Sequence, residues 1–227
     1  MDRYKAGIAT QPAWKRALDL AFLFLIAPGF LLFLAVVALY IKIVSPGPVF
    51  FVQERIGRCG RPFRMLKFRT MHADNDGGVH QKHLAELMKT NRPMTKLDSA
   101  GDKRIIPLGR LLRSSGLDEL PQLINVLRGE MSVVGPRPCT RYEYDLYEPW
   151  HHERLSVLPG LTGLWQVSGK NRTTFEEMVR LDIRYARHLS LKEDLRIIFK
   201  TIPALLSQMR DQWEARRQSG VAIPRTV

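Results

Sequence analysis

A long apolar run covers residues 17–41 (ALDLAFLFLIAPGFLLFLAVVALYI), and Asp19 is its only charged residue. A straight helix over this run would extend for about 37 Å, which exceeds the roughly 30 Å of a bilayer's hydrocarbon core. The run is longer than the apolar part of a signal peptide, and no small-residue cleavage site precedes a mature start. Lys15 and Arg16 lie one helical turn before Asp19, a spacing that predicts a local ion pair. The pattern predicts a segment that enters a membrane.

Pro28 and Gly29 lie at the centre of this run. Proline removes a backbone hydrogen bond and crowds the preceding turn, so we expect a bend there. Basic residues flank both ends of the run: Arg3, Lys5, Lys15 and Arg16 before it, and Lys42, Arg55, Arg58, Arg61, Arg64, Lys67 and Arg69 after it. Because basic residues prefer the cytoplasmic side, the pattern favours a re-entrant helix over residues 15–42, with both ends on one face. A single span with a tolerated proline is the alternative.

The polar part of the chain begins with two short runs of β-forming residues, at 49–52 and 63–68. They flank a loop rich in glycine and proline, which predicts a β-hairpin. Glycine and proline cluster again at residues 132–138 and 158–163, where we expect rigid turns. Helical periodicity is found at residues 80–90, 106–113, 120–127, 142–155, 173–188 and 192–209.

The last of these helices carries a broad apolar face, formed by Leu195, Ile198, Phe199, Ile202, Leu205 and Leu206. Such a face either closes the core or lies on lipid, and we favour the core. The whole pattern predicts an α+β, mainly α-helical fold. Its parts are an N-terminal tail (residues 1–14), the re-entrant helix broken at Pro28 (residues 15–42), and a cytoplasmic unit of hairpin and helices (residues 43–227).

Composition adds a strong positive charge. The 227 residues include 35 Lys and Arg against 22 Asp and Glu, a net charge of +13. Such an excess favours phosphate groups, whether of nucleotides, anionic lipids or nucleic acid, and charge alone does not choose among them. Cys59 and Cys139 lie far apart without a C-x-x-C spacing, which argues against a disulfide framework or a zinc site.

Residues 117–122 (LDELPQ) place Asp118 and Glu119 side by side in this basic chain. Neighbouring arginines favour the ionised form of both acids, and two ionised carboxylates can hold a divalent cation. The pair falls at the start of the predicted helix at 120–127, where backbone N–H groups favour anions. Adjacent acids at a helix start are also common caps, so these residues on their own leave a structural role open. Further along, Arg137 is fixed between two prolines.

Two other patterns carry less weight. Residues 74–76 (DND) match the D-x-D pattern with which many glycosyltransferases hold a metal, but three residues specify little. The chain contains no G-x-x-x-x-G-K-[ST], so a kinase or ATPase function would have no phosphate loop.

Short blocks occur in order along most of the chain: residues 15–19 (KRALD), the broken helix around Pro28, and residues 55–57 (RIG), 67–71 (KFRTM), 117–122 (LDELPQ), 129–132 (GEMS), 134–138 (VGPRP) and 159–163 (PGLTG). Together they resemble the monotopic phosphoglycosyl transferases, bacterial enzymes that move a sugar phosphate onto a polyprenyl phosphate. Larger relatives carry several transmembrane helices ahead of this unit, so the chain is similar to the minimal catalytic form. It also resembles the exopolysaccharide-initiating hexose-1-phosphate transferases.

The resemblance implies a two-step transfer with Mg²⁺ as cofactor. Asp118 would be the nucleophile that attacks the sugar-linked phosphorus of a UDP-sugar and expels UMP. Glu119 would assist, and both acids would be ligands of Mg²⁺. Because phosphoryl transfer depends mainly on positioning and charge neutralisation, basic residues matter as well. The candidate phosphate-binding residues are Lys67, Arg69, Arg113, Arg137, Lys170 and Arg172.

Lys170 and Arg172 are alternatives for one role. Where the family commonly has Gly-Arg-Asn, this chain has GKNR at residues 169–172. Lysine does not replace arginine on phosphate, because only arginine offers a planar, two-pronged donor. Either Lys170 serves as a point charge, or Arg172 takes over the role.

The implied partners are a UDP-sugar, with a hexose such as glucose or galactose favoured, polyprenyl (undecaprenyl) phosphate and membrane lipid, but no nucleic acid; a homo-oligomer is left open. The implied location is the bacterial inner membrane, with the catalytic domain (residues 43–227) on the cytoplasmic face. The residues alone leave a second hypothesis, a non-catalytic, membrane-tethered basic module that binds anionic lipid or nucleic acid. That module would not explain Asp118 and Glu119, and it would tolerate Asp118→Asn.

Overall fold

The computed structural model describes residues 11–71, 85–88, 90, 92–94 and 105–218. Its helices are α1 (Ala13–Val44), α2 (Gly109–Ser115), α3 (Gln122–Leu127), α4 (Arg141–Asp145), α5 (Leu164–Val167), α6 (Phe175–Arg187) and α7 (Leu191–Gln218). Its strands are β1 (Phe50–Ile56), β2 (Pro62–Phe68), β3 (Ser132–Val134) and β4 (Gly160–Thr162). The predicted mainly helical α+β fold with a short antiparallel hairpin is confirmed. Residues 74–76, and residues 80–84 of the helix predicted at 80–90, lie outside the described residues, while residues 85–88 are helical.

Helix α1 continues through Pro28 as one helix of 32 residues, which at 1.5 Å per residue is about 48 Å long. By length and composition it is able to cross a membrane. The rest of the chain leaves the middle of α1 largely uncovered; Phe24, for example, is 86% exposed. Both of its ends, however, are buried against the rest of the chain: Asp19 near the start and Ile41 near the end are each 0% exposed.

The hairpin of β1 and β2 forms where the sequence predicts it, with Phe50 opposite Phe68 and Ile56 opposite Pro62. Phe68 belongs to a buried cluster that also contains Ile41 of α1. At the other end of the hairpin, Ile56 lies in a second core cluster that includes residues of α6. The hairpin therefore connects the end of α1 to the rest of the core.

A second sheet, which the sequence does not predict, pairs β3 and β4 in parallel. Ser132 lies opposite Gly160, and Val134 lies opposite Thr162. Each strand has only three residues and adjoins a cluster of glycine and proline, so the sequence pattern indicates turns instead. The backbones approach closely here, since the Gly135 nitrogen donates to the Thr162 carbonyl at 2.8 Å.

We expect Gly160→Ala to destabilise the fold. A Cβ atom at Gly160 would lie 2.0 Å from the backbone nitrogen of Gly135, and the backbone of a paired strand cannot move aside as a flexible side chain does. This overpacking should lower the free energy of unfolding by about 3 kcal/mol. Thermal unfolding of the detergent-purified protein measures it, with Gly29→Ala as control, because a Cβ there meets nothing within 4 Å. Equal melting temperatures for the two variants would contradict the close approach.

The single helix predicted over residues 142–155 is wrong. Helix α4 ends at Asp145, and a separate 3-10 segment covers Pro149–Ser156. Proline disfavours helical backbone at the residue before it, and Glu148 is extended, with φ −71° and ψ 158°. Pro149 therefore divides the predicted helix in two.

The prediction that the apolar face of α7 closes the core is wrong for much of that face. Phe199, Ile202 and Leu206 are 75%, 66% and 62% exposed. The fully buried apolar residue among the described residues of α7 is Ile197, which lies on the other side of the helix, while Ile198 of the predicted face packs partly against the same core cluster. The exposed row agrees with the alternative interpretation, a face that lies on lipid.

Candidate functional site

Asp118 and Glu119 lie in one 3-10 turn, Leu117–Glu119. Gly116 ends α2 with φ 74°, a left-handed conformation that glycine adopts without strain, and it directs the chain into this turn. Asp118 is buried, at 9% exposure. Because α3 begins only at Gln122, the acidic pair precedes that helix and does not form its first turn. The site is therefore a tight turn after α2, not a helix start.

Lys67 is a predicted basic residue that contacts the acidic pair directly. Its Nζ donates to Glu119 Oε1 at 2.8 Å. The Lys67 and Glu119 side chains are 22% and 40% exposed, so solvent reduces the contribution of this ion pair to stability to about 1 kcal/mol or less. The main consequence of this ion pair is positional: strand β2 holds the positive charge of Lys67 beside the two acids.

A buried charged cluster forms around Glu143. Arg137 Nη1 donates to Glu143 Oε1 at 2.7 Å, and Arg55 Nη1 lies 3.6 Å from Glu143 Oε2. Burial alone raises the pKa of Glu143, but Arg137 and Arg55 outweigh it and lower that pKa to about 2. Glu143 raises the pKa of Arg137, whereas burial, followed by the charge of Arg137, lowers the pKa of Arg55 to about 10. Glu119 is among the charges that act on Arg55, so the cluster is within electrostatic range of the acidic pair.

A second buried ion pair holds the backbone of Arg137. Arg154 Nη2 donates to the Arg137 carbonyl at 3.0 Å and to the carboxylate of Asp182. The side chains of Arg154 and Asp182 are 0% and 1% exposed. Removing one partner of such a pair would leave an uncompensated buried charge, so the pair is a firm support. Arg137 is thus fixed by this contact as well as by its flanking prolines.

Arg69 lies at the junction of α1 and the hairpin, and Arg113 lies near Met71, which follows β2. Arg69 is 5% exposed, and its guanidinium donates to the carbonyls of Ser45 and Pro46 at 2.7 Å each. Arg69 therefore holds the turn that follows α1. Arg113, in the last turn of α2, lies with its Nη1 3.8 Å from the sulfur of Met71.

Lys170 and Arg172, the two alternatives for one role, share the 3-10 turn Lys170–Arg172, which lies against α7. Lys170 Nζ donates to Gln208 Oε1 at 2.8 Å, and Arg172 Nη2 donates to Asp211 Oδ2 at 3.1 Å. The Arg172 side chain is 75% exposed, whereas Gln208 is buried. Lys170 is therefore the more enclosed of the two cations.

The acidic pair offers a carboxylate set that suits Mg²⁺. In the part of the chain that the structure describes, no group of three or more His, Cys, Asp or Glu side chains is placed to hold a metal. Mg²⁺ does not require one, since it keeps several waters and binds through one or two carboxylates together with substrate phosphates. Asp118 and Glu119 supply two adjacent carboxylates in one turn, so the residues fit this ion.

An apolar cavity of about 420 Å³ lies between the middle of α1 and the start of α3. Its lining is formed by Leu25, Ile26, Gly29, Phe30, Phe33, Leu120 and Leu123. Leu120 directly follows Glu119 in the chain, so the cavity adjoins the acidic turn. The sequence does not predict this cavity, because its two walls are about ninety residues apart.

The start of α1 is held by polar groups from distant parts of the chain. Asp19 Oδ1 accepts hydrogen bonds from Ser132 Oγ at 2.8 Å and from the Val133 nitrogen at 2.9 Å. Lys15 Nζ contacts Asp194 Oδ2 at 2.5 Å. The hydrogen bonds of Asp19 are with β3 and with Gln11, and the salt bridge of Lys15 is with α7. The predicted local ion pair is therefore wrong, although the charge of Asp19 still acts on Lys15. The helix is anchored to the folded unit.

Comparison with known proteins gives a consistent result. The bacterial sugar transferase family matches residues 10–208. The exopolysaccharide production protein ExoY of Sinorhizobium fredii is 43% identical over 202 residues, 84% of this chain and 84% of that protein. The UDP-glucose:undecaprenyl-phosphate glucose-1-phosphate transferase of Caulobacter vibrioides is 42% identical over 201 residues, 85% of this chain and 70% of that protein. The galactosyl transferase CpsE of Streptococcus agalactiae is 44% identical over 161 residues, 70% of this chain but 35% of that longer protein.

Proposed function

Because this chain belongs to the bacterial sugar transferase family, and is an enzyme of the phosphoglycosyl transferase type, we propose that it transfers a hexose-1-phosphate from a UDP-sugar to undecaprenyl phosphate. UMP is the leaving group. The observation that carries the proposal is the acidic turn of Asp118 and Glu119, beside Lys67 and next to an apolar cavity under the membrane helix. A water-soluble donor and a lipid acceptor both have access to such a place.

Asp118 acts as the nucleophile in this proposal. Its ionised carboxylate needs no general base, and an oxygen of it attacks the phosphorus that bears the sugar. The bond from that phosphorus to the UMP oxygen breaks, and UMP leaves with both electrons of that bond. In the second step an oxygen of undecaprenyl phosphate attacks the same phosphorus and releases the Asp118 carboxylate. The product is the lipid diphosphate sugar, and the enzyme is restored.

Positive charge stabilises both steps, because negative charge on the phosphate oxygens is redistributed as the bonds change. Lys67 lies against Glu119, and Arg137 and Arg55 form a second positive group within electrostatic range. Mg²⁺, held by Asp118 and Glu119, would neutralise phosphate charge and orient the donor. Lys67 and the arginines are the residues that bind and orient the phosphates.

The contacts of α1 favour the re-entrant topology. A helix that spans a bilayer has its ends on opposite faces, about 30 Å apart. Here Asp19 at one end and Ile41 at the other are buried in the same folded unit, which cannot lie on both faces at once. We therefore propose that both ends lie on one face, the cytoplasmic one, with the exposed middle of α1 in the lipid.

This topology predicts one labelling result. Cys59, which is exposed in the hairpin loop, should react with a membrane-impermeant maleimide only from the cytoplasmic side of inverted vesicles. Ala13→Cys in a Cys59→Ser background reports the start of α1, and it should react from that same side. Cys139 is buried and gives little background. Labelling of the two positions from opposite sides would overturn the re-entrant topology.

The apolar cavity is the proposed location of the acceptor's isoprenoid chain near its phosphate. Gly29→Phe should fill part of it, because Gly29 lines the cavity and nothing lies within 4 Å of a Cβ atom there. We expect the KM for undecaprenyl phosphate to rise about tenfold, since filling a shaped apolar pocket has effects of that order, while the KM for the UDP-sugar stays unchanged. Leu32→Phe, on the exposed side of α1, is the control. An unchanged acceptor KM in Gly29→Phe would place the chain elsewhere.

UMP release is the test of the proposed function. The purified protein in nanodiscs receives Mg²⁺ and UDP-glucose, UDP-galactose or their N-acetylated forms, with and without undecaprenyl phosphate. Mass spectrometry of the protein should find a phosphosugar on Asp118 without acceptor, and the adduct should disappear when the acceptor is added. Removal of Mg²⁺ by chelation should stop turnover. No UMP with any sugar would overturn the activity, and acceptor-dependent UMP without an adduct would overturn the covalent step alone.

A further inference from the structure

Glu143 occupies an unusual electrostatic position. It is 0% exposed, and it contacts the guanidinium groups of Arg137 at 2.7 Å and of Arg55 at 3.6 Å. A carboxylate buried to this extent is strongly unfavourable unless cations and hydrogen bonds surround it. The positive charges of the two arginines therefore allow Glu143 to be buried as a carboxylate. Glu143 in turn determines where their guanidinium groups lie.

The cluster around Glu143 contains more positive than negative charge. Three arginines, Arg55, Arg137 and Arg154, lie with two carboxylates, Glu143 and Asp182. Arg154 and Asp182 form their own fully buried pair. The single carboxylate of Glu143 is thus shared by two guanidinium groups, which leaves one positive charge without a countercharge inside the cluster.

Of the two arginines that share Glu143, Arg137 is the more exposed to solvent. The Arg137 side chain is 28% exposed, whereas that of Arg55 is 11% exposed and donates to Gln53 Oε1 at 2.7 Å and to the Pro138 carbonyl at 3.3 Å. An uncompensated guanidinium next to a second one is a strong anion-binding arrangement, and its planar fork matches phosphate. Arg137 is the member of the cluster that an external phosphate can reach.

We propose that Glu143 is a positioning residue for the donor's diphosphate, because it holds the guanidinium of Arg137 beside that of Arg55 and leaves their surplus positive charge facing the phosphates. This inference rests on the proposed function, in which the donor is a nucleoside diphosphate sugar. Glu143 itself touches no substrate, and it acts through Arg137.

Glu143 has a second contact, which a test must separate from this role. It lies in the first turn of α4, where the Thr140 nitrogen donates to Glu143 Oε2 and the Glu143 nitrogen donates to Thr140 Oγ1 at 3.1 Å. This reciprocal cap stabilises the helix start. Glu143→Gln keeps a side-chain oxygen for the cap but loses the charge, whereas Thr140→Ala loses the hydroxyl and keeps the charge. Comparing the two variants therefore separates the effect of the cap from the effect of the arginine contact.

The experiment compares Glu143→Gln, Thr140→Ala, Arg137→Gln and the double variant Glu143→Gln/Arg137→Gln, each as the full chain in nanodiscs. The KM for the UDP-sugar should rise about tenfold in Glu143→Gln, as expected when a charge-assisted phosphate contact is misplaced, with an unchanged KM for undecaprenyl phosphate. Thr140→Ala should leave both KM values unchanged. In the Arg137→Gln background, Glu143→Gln should add less than about twofold, because residues that act through one another are not additive.

Two results would overturn the inference: a UDP-sugar KM in Glu143→Gln equal to that of Thr140→Ala, or effects of Glu143→Gln and Arg137→Gln that multiply. Should Glu143→Gln fail to fold, the pair Arg55→Gln and Arg55→Gln/Glu143→Gln replaces it, and the second variant should again bind the donor more weakly than the first. The affinity for UDP, measured by calorimetry, separates the two proposals. A chain that binds UDP but releases no UMP overturns the proposed function, while the UDP affinities of the variants still decide the role of Glu143.

Discussion

Asp118→Asn should reduce sugar-phosphate transfer by more than about 1000-fold, because loss of a covalent nucleophile removes the chemical step itself. Asparagine has nearly the same shape, so packing of the buried Asp118 position in the turn Leu117–Glu119 should change little. The measurement is UMP release with saturating UDP-sugar, acceptor and Mg²⁺. Membrane association should persist, since it depends on the apolar helix α1 and not on this turn.

Asp145→Asn is the matched control for this prediction. Asp145 is the last residue of the short helix α4, but its side chain is 53% exposed and pairs with Arg141 one turn away on the surface. An exposed pair of this kind contributes little, so activity should remain close to that of the unaltered protein. Transfer by Asp118→Asn at a rate near that of Asp145→Asn would remove Asp118 from the nucleophile role. It would also revive the hypothesis of a basic module that only binds anions.

The acidic pair and a cation that contacts it could be predicted because their chemistry is local in sequence. Asp118 and Glu119 are adjacent, and Lys67 belongs to a run of basic residues on a recognisable hairpin. Their meeting at 2.8 Å needs only that the hairpin pack against the turn. The long helix and the hairpin were predictable for a similar reason, because their patterns of apolar residues are strong and continuous.

Glu143 could not be identified in the same way. The spacing of Thr140 and Glu143 indicates a capping box, a local signal that the sequence does contain. The contact with Arg55 joins residues 88 positions apart, and nothing in the local sequence distinguishes Glu143 from a surface acid. Its role depends on tertiary packing around α4, which no periodic pattern encodes.

The polar contacts at the start of α1 have the same origin, and they change what the membrane helix does. Lys15 Nζ bonds to Asp194 Oδ2 at 2.5 Å, to Tyr185 Oη at 2.9 Å and to the Val134 carbonyl at 2.7 Å. Three elements, α6, α7 and β3, thus meet at one ammonium group from α1. A membrane anchor that only tethered the enzyme would not need its first turn inside the core.

We therefore expect Lys15→Met to lower the stability of the whole folded unit. The variant leaves the carboxylate of Asp194, which is 0% exposed, without its cation, and breaking a buried pair in this way costs about 3 to 5 kcal/mol. For a chain of this size the melting temperature should fall by roughly 10 °C. Thermal unfolding in detergent measures this, and UMP release should fall in parallel because the cavity and the acidic turn lie on the same framework.

Lys42→Met is the control at the other end of α1, where the lysine is exposed and donates to the Gly47 carbonyl at 3.0 Å. Its melting temperature should change by no more than about 2 °C, as for most surface substitutions. Lys15→Met/Asp194→Leu should recover part of the loss, because removing both charges no longer leaves one of them uncompensated. If Lys15→Met had the same melting temperature as Lys42→Met, the contacts of Lys15 would not contribute to the stability of the folded unit. A melting temperature restored by Asp194→Leu would show that the loss in Lys15→Met comes from the uncompensated buried charge of Asp194.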